Sequence, residues 1–190
     1  MLGATIEMNL KLSMVSVLVG VVLFAPHAFG LAKPVKFVDS ARKFPRSLVV
    51  GWSLMLLATA WFLFNLSEES IADFAAYKNF LMLGFAAIGI GSCVFVPDFL
   101  GARGLAVVLL LLAKVMVDAG RAGLSHTAWA FFIQVLAYCF VVVGIWLTIS
   151  PWRLRDWIEW VTSTPGRTKF VCGFNVAVGL LLCGLGLIIF

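Results

Sequence analysis

Lys114 and Asp118 stand four residues apart in the apolar stretch LLLLAKVMVDAGR. On a helix that spacing sets an ammonium and a carboxylate on one face, within reach of an ion pair. A charge at the centre of a bilayer costs roughly 2.5–3.5 kcal/mol, so an ionisable pair inside a span is a functional hypothesis by default. The chemistry it could serve is ion or proton carriage, or contact with a partner subunit. The competing reading is structural. Asp118 and Arg121 fall near the predicted end of their span, and Lys114 lies only about 6 Å further in, where its stem can snorkel to the headgroups.

Other residues offer less. The two histidines, His27 and His126, fall at opposite ends of their predicted spans, roughly 30 Å apart, which argues against a shared haem or metal. Cys93, Cys139, Cys172 and Cys183 each sit inside an apolar run, with no CxxC and no Cys/His cluster; such thiols behave as small hydrophobes. Asn65, Gln134 and Asn175 are polar residues in or near spans, of the kind that join helices by hydrogen bonds worth about 0.6 kcal/mol. No Walker A loop, Rossmann fingerprint, HExxH or GxSxG occurs. The expectation is therefore no catalytic residue, no cofactor and no metal.

The elements that position these residues follow from composition. The 190 residues are 63% hydrophobic and only 12% charged, half the charge a soluble domain carries. Bilayer lipid is the solvent such a surface requires. A spanning helix needs about 20 mostly apolar residues. Six runs qualify: 13–31, 47–66, 80–96, 102–119, 129–149 and 169–190. Backbone groups in lipid must bond within the chain, so these runs are predicted as helices. The first could be mistaken for a signal peptide, but its n-region is weakly basic and Pro26 sits poorly for cleavage, so it is read as a retained span. The fold class is an all-α polytopic membrane bundle of about six spans plus two interfacial helices.

Charge then sets the topology. The connectors after spans one, three and five carry ten basic and four acidic residues. The remaining segments carry four and five. Lys and Arg collect in short cytoplasmic loops, so the basic connectors are expected in the cytoplasm and both termini outside. The net charge of +5 is thereby explained by anionic lipid and topology, with no nucleic-acid partner. The acidic outer connector EESIADFAAYKN, 68–79, reads as a solvated loop.

The most polar stretch is SPWRLRDWIEWVTSTPGRT, 150–168, with Trp152, Trp157 and Trp160 among Arg153, Arg155, Asp156 and Glu159. Leu154, Trp157, Ile158 and Val161 follow an i, i+3, i+4, i+7 pattern. This predicts an amphipathic helix in the headgroup plane, started by Pro151 and broken at Pro165-Gly166, with the indoles and arginines as interfacial anchors. PVKFVD at 34–39 lines up with PWRLRD at 151–156, and PRS at 45–47 with PGRT at 165–168. Phe37, Val38, Ala41 and Phe44 give the first copy its apolar face. Residues 10–66 and 129–190 thus read as a degenerate parallel repeat around middle helices within 80–119.

The C-terminal unit, SPWRLRDWIEWVTSTPGRTKFVCGFNVAVGLLLCGLGLIIF, resembles the small two-span bacterial inner-membrane proteins of the YjeT-like type in its Trp-basic connector between two prolines and its Gly-spaced final helix. The resemblance covers about a quarter of the chain and implies an inner-membrane location without chemistry. Gly84, Ala87 and Gly91, and on the last span Gly173/Ala177 and Gly179/Cys183, give small-residue faces that allow close helix approach. The expected role is an accessory, scaffold or assembly subunit whose partners are the bilayer and a membrane protein or a second copy. The alternatives are a small transporter using Lys114 and Asp118, and a lipid-modifying enzyme.

Overall fold

The computed structural model describes residues 2–69, 77–124 and 127–189, with side chains of 2–10, 122 and 123 left aside. Among these residues eight α-helices follow one another: α1 (Leu2–Ala32), α2 (Pro34–Lys43), α3 (Leu48–Glu68), α4 (Lys78–Phe95), α5 (Leu100–Gly123), α6 (Ala130–Ile149), α7 (Trp152–Val161) and α8 (Pro165–Ile188). A 3-10 turn, Phe44–Arg46, precedes α3. No strand occurs among the described residues. Six helices among the described residues are long and apolar enough to cross a bilayer: Lys11–Ala32 within α1, α3, α4, Leu100–Arg121 within α5, α6 and α8. The protein is an all-α, polytopic membrane protein. Spans three and four are separate helices, each of spanning length.

Contacts divide the chain into two compact units. The first comprises Met1–Arg42, Leu112–Val142 and Asp156–Phe190. Its spine is α1 against α8. Ser16 Oγ donates to Leu182 O at 2.8 Å, and Ser13 Oγ donates to Gly186 O. A Cβ on Gly20 would lie 2.8 Å from Gly179 O, and one on Gly179 would lie 2.8 Å from Gly20 O. The partner numbers fall as α1 numbers rise, so the helices run antiparallel. Only glycine permits this separation, because any side chain there would meet backbone rather than a movable side-chain tip. Hydroxyls on one helix and carbonyls on the other then come within hydrogen-bond reach without water. Further along, Gly120 of α5 lies against the side-chain oxygen of Gln134 of α6.

The second unit comprises Lys43–Leu111 and Val143–Arg155. Here α3 meets α4 antiparallel through Thr59 and Gly89, and through Phe62 and Phe85, whose rings pack edge-on at 4.9 Å. The same α3 meets α5 in parallel: Gly51 abuts Leu100 and Gly101, and Gly104 abuts Leu54 and Met55. Buried Met55, Cys93 and Leu100 close the centre of the three helices. Antiparallel neighbours one span apart and parallel neighbours two spans apart are what successive crossings of a bilayer require.

Several expectations need correction. The first span runs Lys11–Ala32, close to the expected 13–31, but its helix extends back to Leu2. The amphipathic helix ends at Val161, ahead of Pro165, and the last helix starts at Pro165, not near 169; there a missing N–H costs nothing, and Thr164 caps the helix by accepting from Arg167 N. Among the described residues, Asn65 and Asn175 are not seen to bridge helices. Each donates back to its own helix, to Trp61 O at 3.1 Å and to Val171 O at 2.9 Å. Ser13 and Ser16 instead supply polar links between two spans, α1 and α8, and their spacing with Gly20 (i, i+3, i+7) was a legible signal of one polar-small face.

Candidate functional site

Lys114 and Asp118 do form the pair their spacing suggests, Nζ to Oδ2 at 3.5 Å. Their side chains are 47% and 60% exposed, so the pair lies on the outside of the protein and not among the packed helices. Because α5 continues to Gly123, Lys114 lies seven residues inside the span end at Arg121, about 10 Å of rise. That is deeper than the sequence bounds implied, yet a lysine stem covers most of this depth.

The amphipathic helix α7 forms as the pattern requires, with one change. Leu154, Ile158 and Val161 are buried, while Trp157 is 53% exposed. Positions 154, 158 and 161 already fill the face against the protein. Trp157 therefore turns outward beside Trp160, and Trp152 is exposed as well. An indole at that position offers its apolar ring to lipid and its N–H to the headgroup layer. Arg153 is exposed and Arg155 half-buried. Arg167, in the first turn of α8, stands 4.9 Å over the Trp160 ring and donates to Ser163 Oγ at 2.9 Å, which fixes that indole at the bend between α7 and α8.

The C-terminus of α7 shows how its end is closed. The last carbonyls of a helix lack internal donors. Thr162 Oγ1 donates to Ile158 O at 2.8 Å, Thr168 Oγ1 to Val161 O at 3.1 Å, and Arg42 Nη2 to Thr162 O at 3.1 Å. Arg42 Nε also donates to Thr162 Oγ1 at 3.0 Å. The guanidinium belongs to α2, so the two short helices are fastened together. A cation at a helix C-terminus is also favoured by the helix dipole. On α2, Phe37, Val38 and Ala41 are half-buried, as is Phe44 in the turn that follows; Val35, Lys36, Asp39, Ser40, Arg42 and Lys43 are exposed. The expected apolar face is the face used.

In the second unit two further basic residues lie by the start of α5. The Phe44 carbonyl is 2.8 Å from a Cβ position on Gly101, which seats the 3-10 turn on the first turn of α5. Arg46 then stands 5.8 Å over the Phe99 ring. Phe99 has φ 55°, a left-handed conformation costly for a residue with a side chain. Arg103 N donates to Phe99 O at 3.0 Å. The Nε of Arg103 is buried and has no hydrogen-bond partner among the described residues. Sequence reasoning read Arg46 and Arg103 only as topology charges.

The chain matches no family model, no curated protein and no solved structure.

The remaining candidates fall apart in space or lie outside the described residues. His27 Nδ1 contacts Leu23 O of its own helix at 2.7 Å, and its ring tilts against Phe37 at 6.1 Å. His126 and residues 70–76 of the acidic connector lie outside the described residues. Of that connector's visible part, Lys78 Nζ donates to Glu69 O at 2.9 Å and to Ser67 O. Among the described residues no three His, Cys, Asp or Glu side chains group as metal ligands. Cys172 is used in packing, its Sγ 2.8 Å from a Cβ position on Gly30. Gly179 and Cys183 serve the α1 seam, whereas Gly84 and Gly173 have no neighbour within 4 Å of an added Cβ.

Proposed function

We propose that this protein is a non-catalytic accessory or assembly subunit of a membrane complex, acting through helix packing. The observation that carries this reading is the outer face of α4. Gly84 and Ala87 are exposed and Gly91 is half-exposed, and a Cβ on Gly91 would meet only Phe95 of the same helix. Phe80, Leu83 and Ile88 stand exposed along the same helix. The α1–α8 seam of Gly20, Gly179 and Gly186, by contrast, is filled from within the chain. A face of small residues flanked by large apolar ones accepts a further helix closely. The test is crosslinking in native membranes, followed by purification in mild detergent. A partner chain or second copy should be captured, and Gly84→Leu with Gly91→Leu should abolish capture. A lone monomer with no crosslinked chain would remove the reading.

The proposal includes a bacterial inner-membrane location, supported by the YjeT-like resemblance of residues 150–190. It includes basic connectors in the cytoplasm and both termini outside, supported by the charge asymmetry. The Arg42–Thr162 contact joins the first basic connector to the fifth within the first unit. The Arg46–Phe99 contact joins it to the third within the second. Both contacts agree with the even parity of six crossings. The transporter alternative rests on the Lys114–Asp118 pair within a span. Retention of full flux in liposomes by a Lys114→Ala, Asp118→Ala double variant would exclude that pathway.

A further inference from the structure

We infer that the protein is matched to a thin bilayer of short acyl chains, with a hydrocarbon core of about 25 Å against the typical value of about 30 Å. The argument begins with α4, the shortest of the candidate spans among the described residues. It holds 18 residues, Lys78–Phe95, a rise of about 27 Å. Neither end can be lengthened. Val96 has left the helix, at φ −130° and ψ 61°, and the ring of Pro97 disfavours helical geometry at the residue before it. At the other end Lys78 Nζ is tied to the carbonyls of Ser67 and Glu69, polar groups that belong among headgroups. A span can tilt to fit a thinner core, but it cannot stretch to fit a thicker one. The usual tilt of about 20° reduces 27 Å to about 25 Å.

α6 carries its own measure. Trp129, the residue before that helix, and Trp146, near its far end, are seventeen residues apart, about 25 Å of rise. Both are about half exposed, at 51% and 54%. Indoles settle at headgroup depth, because the ring is apolar and its N–H seeks a partner. Two of them on one span mark its two boundaries.

The Lys114–Asp118 pair gives a third measure, along α5. Gly51 abuts Gly101, so exposed Trp52, one residue on, stands level with the start of α5. About 25 Å of rise from Gly101 ends at Asp118. Both charged side chains are exposed, so depth decides their solvation. At this thickness the carboxylate meets headgroups, and the Lys114 stem can reach them too. A core of about 30 Å would sink Asp118 by roughly 5 Å, and an aspartate has no long stem to bring its charge back. The longer spans, α1, α3 and α8, fit the same core by tilting. The inference goes beyond the assembly-subunit reading and holds whatever covers the small-residue face of α4.

The experiment places the full chain in nanodiscs of dipalmitoleoyl-, dioleoyl- or dierucoyl-phosphatidylcholine, which share one headgroup and differ in chain length. The midpoint of thermal unfolding is read in each. It should be highest in the dipalmitoleoyl lipid and fall by about 5 °C in the dierucoyl lipid, since each ångström of mismatch carries a modest cost. A midpoint that is highest in either longer lipid, or equal in all three, would overturn the inference. Lys114→Leu with Asp118→Leu should raise the midpoint in the dierucoyl lipid by a few degrees and leave it unchanged in the dipalmitoleoyl lipid; an equal effect in both would overturn the placing of the pair at the boundary. Single-tryptophan variants that keep only Trp129 or only Trp146 test the boundary without touching those charges. In dipalmitoleoyl nanodiscs both should be quenched by lipid brominated beside the headgroup, and stronger quenching of either by lipid brominated at the chain ends would overturn the thickness.

Discussion

Arg42 and Thr162, 120 residues apart, are joined by two hydrogen bonds, Nε to Oγ1 at 3.0 Å and Nη2 to the carbonyl at 3.1 Å. One side chain thereby ties α2 to the closed end of α7. The contact depends on the fork of arginine, since one edge reaches a hydroxyl and the other a carbonyl. Arg42→Ala should lower stability by about 1 kcal/mol. That is less than a fully buried charged pair would cost, because Arg42 is exposed. Thr162→Ala should cost a similar amount and the two should not add. Arg42→Lys should restore little. Thermal denaturation in detergent of the two single variants and the double closes the cycle; strict additivity would mean the bonds do not couple.

Two glycines five residues apart in α8 should respond oppositely to alanine. At Gly179 the new methyl would meet Gly20 O at 2.8 Å and Phe24 N at 2.9 Å, both backbone. At Gly184 it would meet nothing within 4 Å. Helix propensity favours alanine at both by up to about 1 kcal/mol. Gly184→Ala should therefore be neutral or stabilising, and Gly179→Ala destabilising, because α1 must move away. Comparing melting temperatures decides this, and equal effects would show that α1 and α8 are not in close contact.

Labelling should separate the two faces of α7. In a background with its four cysteines replaced, Trp157→Cys should react with a maleimide in the folded protein and Ile158→Cys should not, since Ile158 is only 8% exposed. Equal reactivity would contradict the outward turn of Trp157.

Orientation is tested with the same background in intact cells. An impermeant maleimide should modify Glu68→Cys and spare Trp157→Cys until the membrane is opened. The reverse pattern would invert the proposed topology.

The Lys114–Asp118 pair should contribute little. It is exposed and its N···O separation is 3.5 Å, and helical pairs of this kind give about 0.3–0.5 kcal/mol. Removing both charges should change the melting temperature by no more than a degree or two. A large loss would mean that a partner surface, or the pathway of the transporter alternative, rests on this pair.

Much of this architecture was readable in the residues. Apolar length fixes a span because the bilayer is about 30 Å thick and a helix rises 1.5 Å per residue. This is why α3, α4 and α6 start and stop within a residue or two of expectation. Both short helices were visible for the same local reason, a 3.6-residue pattern beside a proline. Trp157 shares the helical spacing of Leu154, Ile158 and Val161, which leaves open which of the four face the protein; the contacts of the other three decided it.

What the sequence by itself determined is therefore the number of spans, their solvent and the charge of their connectors, all of which depend on neighbours in the chain. Only the tertiary structure decided which small residues are used. Gly20 and Gly179 enter a seam while Gly84 and Gly173 do not, although their local sequences look alike. It also decided that Arg46, alike in sequence to any topology charge, stacks on Phe99. The physical reason is that lipid is as apolar as leucine, so hydropathy cannot rank one helix face above another. Close approach of backbones and the reach of single polar side chains do that ranking, and both arise between residues far apart in the chain.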